Sequence, residues 1–227
     1  MRSNRPHIII ADDHAFVADA CKKLLEPEFD VVATVADGRA LVRIAATLKP
    51  RVIVLDVGMP LLNGLDAGQQ IKQLLPSVKL VFLTMNTDPA LAAEAFRHGA
   101  SGYVLKTCAA SDLIFAIREV LKGRSYLCSA IAKETVAVLL HQNKESIEEE
   151  DRLSRREREV LQLLTEGRTM KEVAYVMNLS THTVAFHKLR IKEKLNANSN
   201  TDLVQYAMRN HIIAVQLPFG CSPGLTG

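Results

Sequence analysis

The chain has 227 residues, which is enough for two domains of ordinary size. It is 48% hydrophobic and 23% charged, a composition that argues against long disorder. No stretch approaches the roughly 20 apolar residues that cross a bilayer, and no apolar signal region begins the chain. The four cysteines lack the spacing of a zinc site or a disulfide framework. We therefore expect a cytoplasmic protein with no membrane partner.

The net charge of +3 is unevenly distributed along the chain. Residues 151–227 contain 11 Lys and Arg against 7 Asp and Glu, a net +4 that leaves the rest of the chain at −1. Four of these bases fall in one short segment: Lys188, Arg190, Lys192 and Lys194. Such clusters contact nucleic-acid phosphates, although a solvated helix face explains the charge equally well.

From residue 7 to about 122, short β-branched runs alternate with segments of helical period, the pattern of βα units on a parallel sheet. The predicted strands are 7–11, 29–35, 52–56, 79–84 and 102–106. The predicted helices are 14–25, 38–48, 64–75, 89–98 and 109–122. Because the strands are apolar throughout, helices must cover both faces. We predict an α/β domain with a doubly wound, five-stranded parallel sheet.

Another helix is predicted at 129–141, and the Glu-rich residues 142–151 that follow should form a solvated, mobile linker. Ser154 with Glu157, and Thr169 with Glu172, fit capping boxes that begin two further helices. Helices are also predicted from residue 180 or 181 to 195 and at 201–209. The Pro- and Gly-rich tail from residue 216 should be disordered.

These boundaries divide the chain into four parts. We predict an α/β domain at 1–124, a linker with one helix at 125–152, an all-α domain at 153–215 and a disordered tail at 216–227.

Polar side chains stand at four of the predicted strand ends: Asp12 and Asp13, Asp56, Thr84, and Lys106. Ligands of open α/β sheets bind outside the carboxyl ends of the strands. Three carboxylates placed there need a hard divalent cation such as Mg²⁺ to offset their repulsion. Any one of these residues alone could be an ordinary turn or surface residue, but their convergence predicts a site.

The acidic pair, Asp56 followed by Met59 and Pro60, then Thr84 and Lys106, resemble in this order the receiver domain of bacterial two-component response regulators. The resemblance covers about residues 7–122. It implies a flavodoxin-like fold with strand order 2-1-3-4-5. It also implies that Asp56 accepts a phosphoryl group from a phosphohistidine on a sensor histidine kinase.

The resemblance assigns further roles at this site. Asp13, Asp56 and the backbone carbonyl of Gly58 would ligate Mg²⁺, and Asp12 would hold a metal-bound water. Thr84 and Lys106 would bind phosphoryl oxygens, and Tyr103 would rotate inward on phosphorylation.

Three residues depart from the common receiver pattern, and one of them, Gly58, should make the loop after Asp56 more flexible than usual. Met85, beside Thr84, is bulkier than the residue usually found there and should restrict access to the phosphoryl group. Thr107 follows Lys106 where proline is frequent, so no cis peptide is predicted at this position.

The motifs from Leu153 to Leu195 resemble a LuxR-type helix-turn-helix domain, and with the receiver they give a response regulator of the NarL/FixJ type. A helix fits the major groove of double-stranded DNA, where polar and basic side chains reach bases and phosphates. The candidate DNA-binding residues are Ser180, Thr181, Thr183, Val184, His187, Lys188, Arg190 and Lys194. The alternative is a four-helix module that binds another protein.

The last predicted helix carries more apolar surface than a small domain can cover. Its candidate dimer residues are Leu203, Val204, Tyr206 and Ala207. By resemblance this helix pairs two copies on phosphorylation or on DNA, and a symmetric dimer would read an inverted repeat.

The favoured hypothesis is thus a phosphorylation-switched transcription regulator and not an enzyme. One alternative is a receiver whose signal is a protein partner. Another is a Mg²⁺-dependent phosphatase with an aspartyl intermediate, which is weaker because Gly58 stands where such enzymes usually carry a second Asp.

Overall fold

The computed structural model describes residues 5–108, 110–141 and 153–213. The predicted mobile linker (142–151) and disordered tail (216–227) lie outside these residues. Among the described helices, none has the length and hydropathy needed to cross a bilayer.

The strands are β1 (His7–Ala11), β2 (Asp30–Val35), β3 (Val52–Leu55), β4 (Lys79–Thr84), β5 (Gly102–Leu105) and β6 (Tyr126–Leu127). The helices around the sheet are α1 (Ala15–Leu25), α2 (Gly38–Leu48), α3 (Gly64–Leu74), α4 (Pro89–Arg97), α5 (Ala110–Leu121) and α6 (Ser129–His141). The second domain contains α7 (Arg155–Thr165), α8 (Met170–Met177), α9 (Thr181–Lys194) and α10 (Asn200–Arg209).

All strand pairs are parallel, and the order across the sheet is β2-β1-β3-β4-β5-β6. The predicted order 2-1-3-4-5 is confirmed, but the predicted count of five strands is one short. The sixth strand, β6, has two residues beside β5. A run this short cannot show the alternation by which a strand is recognised in a sequence.

Alternation along each strand divides the core of the sheet domain into two layers. Ile8 and Ile10 of β1 belong to the layer covered by α1 and α5, whereas Ile9 and Ala11 belong to the layer covered by α2, α3, α4 and α6. Because consecutive side chains point to opposite faces, one apolar strand supplies both layers. The predicted two-sided arrangement is therefore confirmed.

The helical domain has its own core, in which Val160, Val173, Ile191 and Leu203 are at most 2% exposed. Both predicted capping boxes are present. Ser154 accepts a hydrogen bond from the Glu157 amide while the Glu157 carboxylate accepts one from the Ser154 amide, and the Thr169 pair repeats the arrangement.

Helix α7 lies against the loop that follows β3. The Gln162 side chain, 1% exposed, accepts a hydrogen bond from the Asn63 amide at 2.8 Å and donates one to the Met59 carbonyl at 3.0 Å. Beside it, Arg39 of α2 and Glu159 of α7 form an ion pair at 2.8 Å. The helical domain therefore contacts the loop that leaves the strand carrying the predicted phosphoacceptor.

A second contact joins the two domains at the loop after β4. His211 follows α10, and its ring nitrogens lie 3.2 Å from Nδ2 of Asn86 and 3.0 Å from Oδ2 of Asp88. The same Asn86 accepts a hydrogen bond at its carbonyl from the Tyr103 hydroxyl at 3.1 Å.

Candidate functional site

Strand register brings the predicted site residues together at one edge of the sheet. Ala11 pairs with Leu55 and Thr84 pairs with Leu105. The Asp56 amide donates to the Ala11 carbonyl at 2.8 Å, so Asp56 leaves β3 next to the acidic pair after β1.

The Lys106 ammonium lies between two carboxylates. Its Nζ atom is 2.9 Å from Oδ2 of Asp56 and 2.7 Å from Oδ2 of Asp12. These side chains are at most 9% exposed. Burial would lower the pKa of Lys106, but the negative charges and hydrogen bonds of Asp56 and Asp12 outweigh burial and raise it. Lys106 is thus held as a cation.

Four residues at this edge, Asp12, Asp13, His14 and Asp56, have potential ligand atoms that all lie within 4.8 Å of one another. Asp13 Oδ1 is buried, and among the described residues no hydrogen bond of acceptable geometry reaches it, although His14 Nδ1 is 2.9 Å away. A carboxylate set with an unsatisfied oxygen fits a hard cation such as Mg²⁺.

The loop after Asp56 keeps the nucleophile candidate in a fixed orientation. Oδ1 of Asp56 accepts a hydrogen bond from the Val57 amide at 2.7 Å. The Gly64 amide donates to the Val57 carbonyl at 2.8 Å, and a Cβ at Gly64 would lie 1.9 Å from the Asp56 carbonyl oxygen. Glycine is therefore required at residue 64 for the loop to close. Gly58, whose carbonyl is the predicted backbone ligand, is half-buried.

Thr84 ends β4, and Tyr103 lies on the neighbouring strand β5. Thr84 is 4% exposed, and its hydroxyl oxygen accepts a hydrogen bond from the Asn86 amide at 3.2 Å. Tyr103 is fully buried in this structure, so its ring already occupies an inward position. Burial and the negative charges of Asp88 and Asp56 raise the pKa of the Tyr103 hydroxyl, which remains protonated and can donate.

The structure describes two of the departures noted in the sequence, Met85 and Thr107. Met85 is 64% exposed, so most of its side chain lies in solvent. Among the described residues no peptide bond is cis, which includes the bond between Lys106 and Thr107.

The candidate DNA-binding helix α9 presents an open face. Ser180 caps it by accepting a hydrogen bond from the Thr183 amide at 3.0 Å. Arg190 is exposed, and its guanidinium carbon lies 5.7 Å above the centre of the Phe186 ring. His187 and Lys188 are half-buried, while Thr181 is exposed.

Two of the candidate DNA-binding residues take part in the packing of the helical domain. Val184 is fully buried in the core of the helical domain, so the prediction that it contacts DNA is wrong. Lys194 lies 2.9 Å from the Glu157 carboxylate, which is 4% exposed, and this ion pair joins the end of α9 to α7.

The prediction for α10 also needs correction. Leu203 and Ala207 are at most 2% exposed and belong to the core of the helical domain, so they are not free to form a dimer surface. Val204 and Tyr206 are half-buried, and Met208 is 39% exposed. The small domain covers more of this helix than its sequence indicates, because α7 packs against it and Ile212 and Ile213 fold back onto it.

Sequence reasoning missed several residues. Gln162, Glu159 and His211 contact the sheet domain, but in the sequence Gln162 and Glu159 look like ordinary polar helix residues and His211 lies beyond the last predicted helix. Cys108 and Cys128, which are scattered in the sequence, meet in the fold. No local pattern signals contacts between residues so far apart.

Comparisons with known proteins agree with this organisation. Residues 8–118 match the family described as response regulator receiver domain, and residues 151–207 match the family described as bacterial regulatory proteins, luxR family. The transcriptional regulatory protein DegU of Brevibacillus brevis is 33% identical over 232 residues, which cover 95% of this chain and 98% of DegU. LiaR of Bacillus subtilis is 33% identical over 208 residues, with 91% and 98% covered.

Solved structures give the same result. The RcsB response regulator of Salmonella typhimurium is similar with a TM-score of 0.59 and 32% identity, over 89% of this chain and 96% of that one. RcsB from Salmonella enterica serovar Typhimurium bound to a promoter, in the presence of a phosphomimetic, has a TM-score of 0.55 and 31% identity, over 89% and 98%. The chain described here therefore belongs to the response regulators of the NarL/FixJ type, in which a receiver domain is joined to a LuxR-type DNA-binding domain that regulates transcription.

Proposed function

We propose that Asp56 accepts a phosphoryl group from a phosphohistidine of a sensor histidine kinase, and that this modification controls the binding of promoter DNA by α9. The observation that carries the proposal is the position of Lys106, whose ammonium is within 3 Å of carboxylate oxygens of both Asp56 and Asp12. A fixed cation beside a carboxylate nucleophile is what phosphoryl transfer requires.

The residues around Asp56 have separable tasks in this transfer. An oxygen of Asp56 attacks phosphorus in line with the histidine nitrogen, and the electron pair of the broken P–N bond returns to the ring. The Val57 amide holds Oδ1 of Asp56, which limits rotation of the carboxylate. Lys106 and the hydroxyl of Thr84 would then bind the phosphoryl oxygens, which carry the added charge.

Asp13, Asp56 and the carbonyl of Gly58 would hold Mg²⁺, with Asp12 acting through a bound water. The ion would offset negative charge on the transferred group. The unsatisfied Oδ1 of Asp13 supports this assignment.

DNA binding would use the exposed face of α9. The basic residues Lys188 and Arg190 would contact phosphates or base edges, with Ser180, Thr181, Thr183 and His187 beside them. RcsB, a structural relative, has been solved as dimers bound to DNA. We propose that this chain also binds as a homodimer, with Val204 and Tyr206 as the remaining candidates on α10.

The proposal is tested by incubating the full-length protein with Mg²⁺ and acetyl phosphate, followed by intact mass measurement and mapping of the modified peptide. We expect one phosphoryl group per chain, located on Asp56 and absent in Asp56→Asn. Asp19→Asn is the matched control, because Asp19 is an exposed carboxylate on α1. Phosphate uptake by a folded Asp56→Asn protein would contradict the assignment.

A DNA-binding measurement tests whether phosphorylation of Asp56 controls the DNA-binding domain. Binding of the phosphorylated protein to its operator should tighten relative to the unmodified protein, and Asp56→Asn should not respond. Equal DNA affinity with and without phosphorylation would instead favour a receiver controlled by a protein partner.

A further inference from the structure

Two cysteines that are 20 residues apart meet at the end of β5. Their Sγ atoms are separated by 2.8 Å, compared with about 2.05 Å in a formed disulfide. The Cys108 amide donates to the Leu105 carbonyl at 2.9 Å, and the Cys128 amide donates to the Tyr103 carbonyl at 3.0 Å. Both backbones are therefore fixed to the same strand, and the sulfur atoms face each other without a rearrangement of the chain.

The two thiols differ in exposure. Cys108 is half-buried at the protein surface, whereas Cys128 is 3% exposed. An oxidant from solvent therefore reaches Cys108 first, and Cys128 lies behind it as the thiol that can resolve the oxidised product. This is the arrangement of an attacking and a resolving cysteine.

We propose that Cys108 and Cys128 form a redox-modification site that closes to a reversible intramolecular disulfide when the protein meets a peroxide. The Cys108 sulfur attacks one peroxide oxygen, the O–O bond breaks, and the sulfenic acid of Cys108 forms with release of water. The Cys128 sulfur then attacks Sγ of Cys108, the S–O bond breaks, and a second water leaves. In sum, two thiols and hydrogen peroxide give one disulfide and two waters.

The environment of Cys108 sets the speed of this reaction. Burial and the hydrogen bond with Cys128 raise the pKa of the Cys108 thiol to about 11, with the nearby Asp112 carboxylate adding to the effect. The reactive thiolate is therefore scarce at neutral pH. The pair should respond to sustained oxidant and not to brief, low exposure.

The bond would join two functional parts of the receiver. Cys108 follows Lys106 by two residues, and Cys128 directly precedes α6, which packs on α4. A disulfide would restrain the loop after Lys106 and the start of the helix that leads toward the DNA-binding domain. Because no step involves Asp56, this input is separate from phosphorylation.

The test uses the full-length chain with Cys221 replaced by Ser, which prevents links between chains through the tail. The folded protein is treated with hydrogen peroxide, alkylated, digested without reduction and analysed by mass spectrometry. We expect a peptide pair linked through Cys108 and Cys128, the loss of two hydrogen atoms from the intact mass, and labelling of both thiols reduced by about tenfold. Dithiothreitol should reverse all three.

Variants make the result specific. Cys108→Ser and Cys128→Ala should each abolish the link, while Cys21→Ser, which alters a cysteine in the other core layer, and Asp56→Asn should retain it. Circular dichroism of each variant verifies folding. A sulfinic acid on Cys108 with Cys128 still reduced in the folded protein, or a link that forms only in urea, would overturn the proposal.

Discussion

The Gln162 side chain of the DNA-binding domain accepts a hydrogen bond from the Asn63 backbone amide of the receiver at 2.8 Å. Gln162 is 1% exposed, and its amide nitrogen donates to the Met59 carbonyl at 3.0 Å. One side chain thus satisfies two backbone groups of the loop that starts at Asp56.

Replacing Gln162 with Ala should loosen the contact between the two domains. The Asn63 amide and the Met59 carbonyl would lose their partner, a cost of about 1–3 kcal/mol if they remained buried. The domains should therefore separate more often, seen as faster hydrogen exchange at the Asn63 amide and a larger radius of gyration in solution scattering. Gln205→Ala, an exposed position on α10, is the control. Unchanged exchange at Asn63 would show that the contact does not persist in solution.

Replacing Lys106 with Met should destabilise the receiver when no divalent cation is present. The carboxylates of Asp12 and Asp56 would lose the cation between them, which costs about 3 kcal/mol for a buried pair. Urea unfolding in EDTA measures this loss, and added Mg²⁺ should recover more stability in the variant than in the wild type. Lys23→Met is the matched control, because Lys23 is exposed on α1.

The pH dependence of the Lys106 effect follows from the direction of its pKa shift. The pKa in the folded state lies above the ordinary value of 10.5. The stabilising contribution is therefore fully present below that value and is lost as the pH rises through the raised pKa. The difference in the free energy of unfolding between the wild type and Lys106→Met should stay constant up to roughly pH 10 and become smaller above it. A difference that fell already at neutral pH would contradict this picture.

The strand ends were predictable from the sequence, whereas their contacts were not. Apolar runs end where Asp12, Asp56 and Thr84 begin, so the edge of the sheet could be located within about one residue. The pairing of Lys106 with Asp12 as well as Asp56 depends on strand register. No local pattern in the chain specifies that register.

The errors on the helical domain have a related cause. Val184 and Ile191 are seven residues apart and therefore lie on one face of α9, which the core covers. Motif resemblance placed Val184 among the DNA-binding residues because it gives positions in a motif and not the burial of each side chain. Leu203 and Ala207 were misassigned because apolar composition alone does not show which side chains of α10 are covered by α7 and by Ile212.

Replacing Glu157 with Gln should lower the stability of the helical domain at neutral pH but not at acidic pH. Burial would raise the pKa of Glu157, but hydrogen bonds from Lys194 at 2.9 Å and from the Ser154 amide at 2.7 Å outweigh it, and the pKa falls below 4.5. The carboxylate therefore contributes stability above pH 4.5 that is lost as the pH falls through the lowered pKa.

Hydrogen exchange of α7 amides measures this effect. At pH 7 the variant should be less stable by about 1–2 kcal/mol, the cost of removing a cap and an ion pair. This difference in stability between the variant and the wild type should disappear as the pH falls below about 4. Glu134→Gln changes an exposed residue on α6, and its stability is expected to equal that of the wild type at both pH values.

Arg190 and Val184 should affect DNA binding in different ways, because one side chain faces solvent and the other lies in the core. If Arg190 binds a phosphate, Arg190→Ala weakens binding, and the slope of log affinity against log salt falls in magnitude by about 1 for each phosphate that is no longer neutralised. Val184→Ala creates a cavity that costs about 1–3 kcal/mol of stability, but the correctly folded fraction keeps the wild-type slope.

Lys23→Ala, on the receiver, controls for the removal of one positive charge far from α9. Fluorescence anisotropy with an operator duplex at several salt concentrations gives the slopes. An unchanged slope for Arg190→Ala would mean that this face of α9 does not meet the DNA backbone.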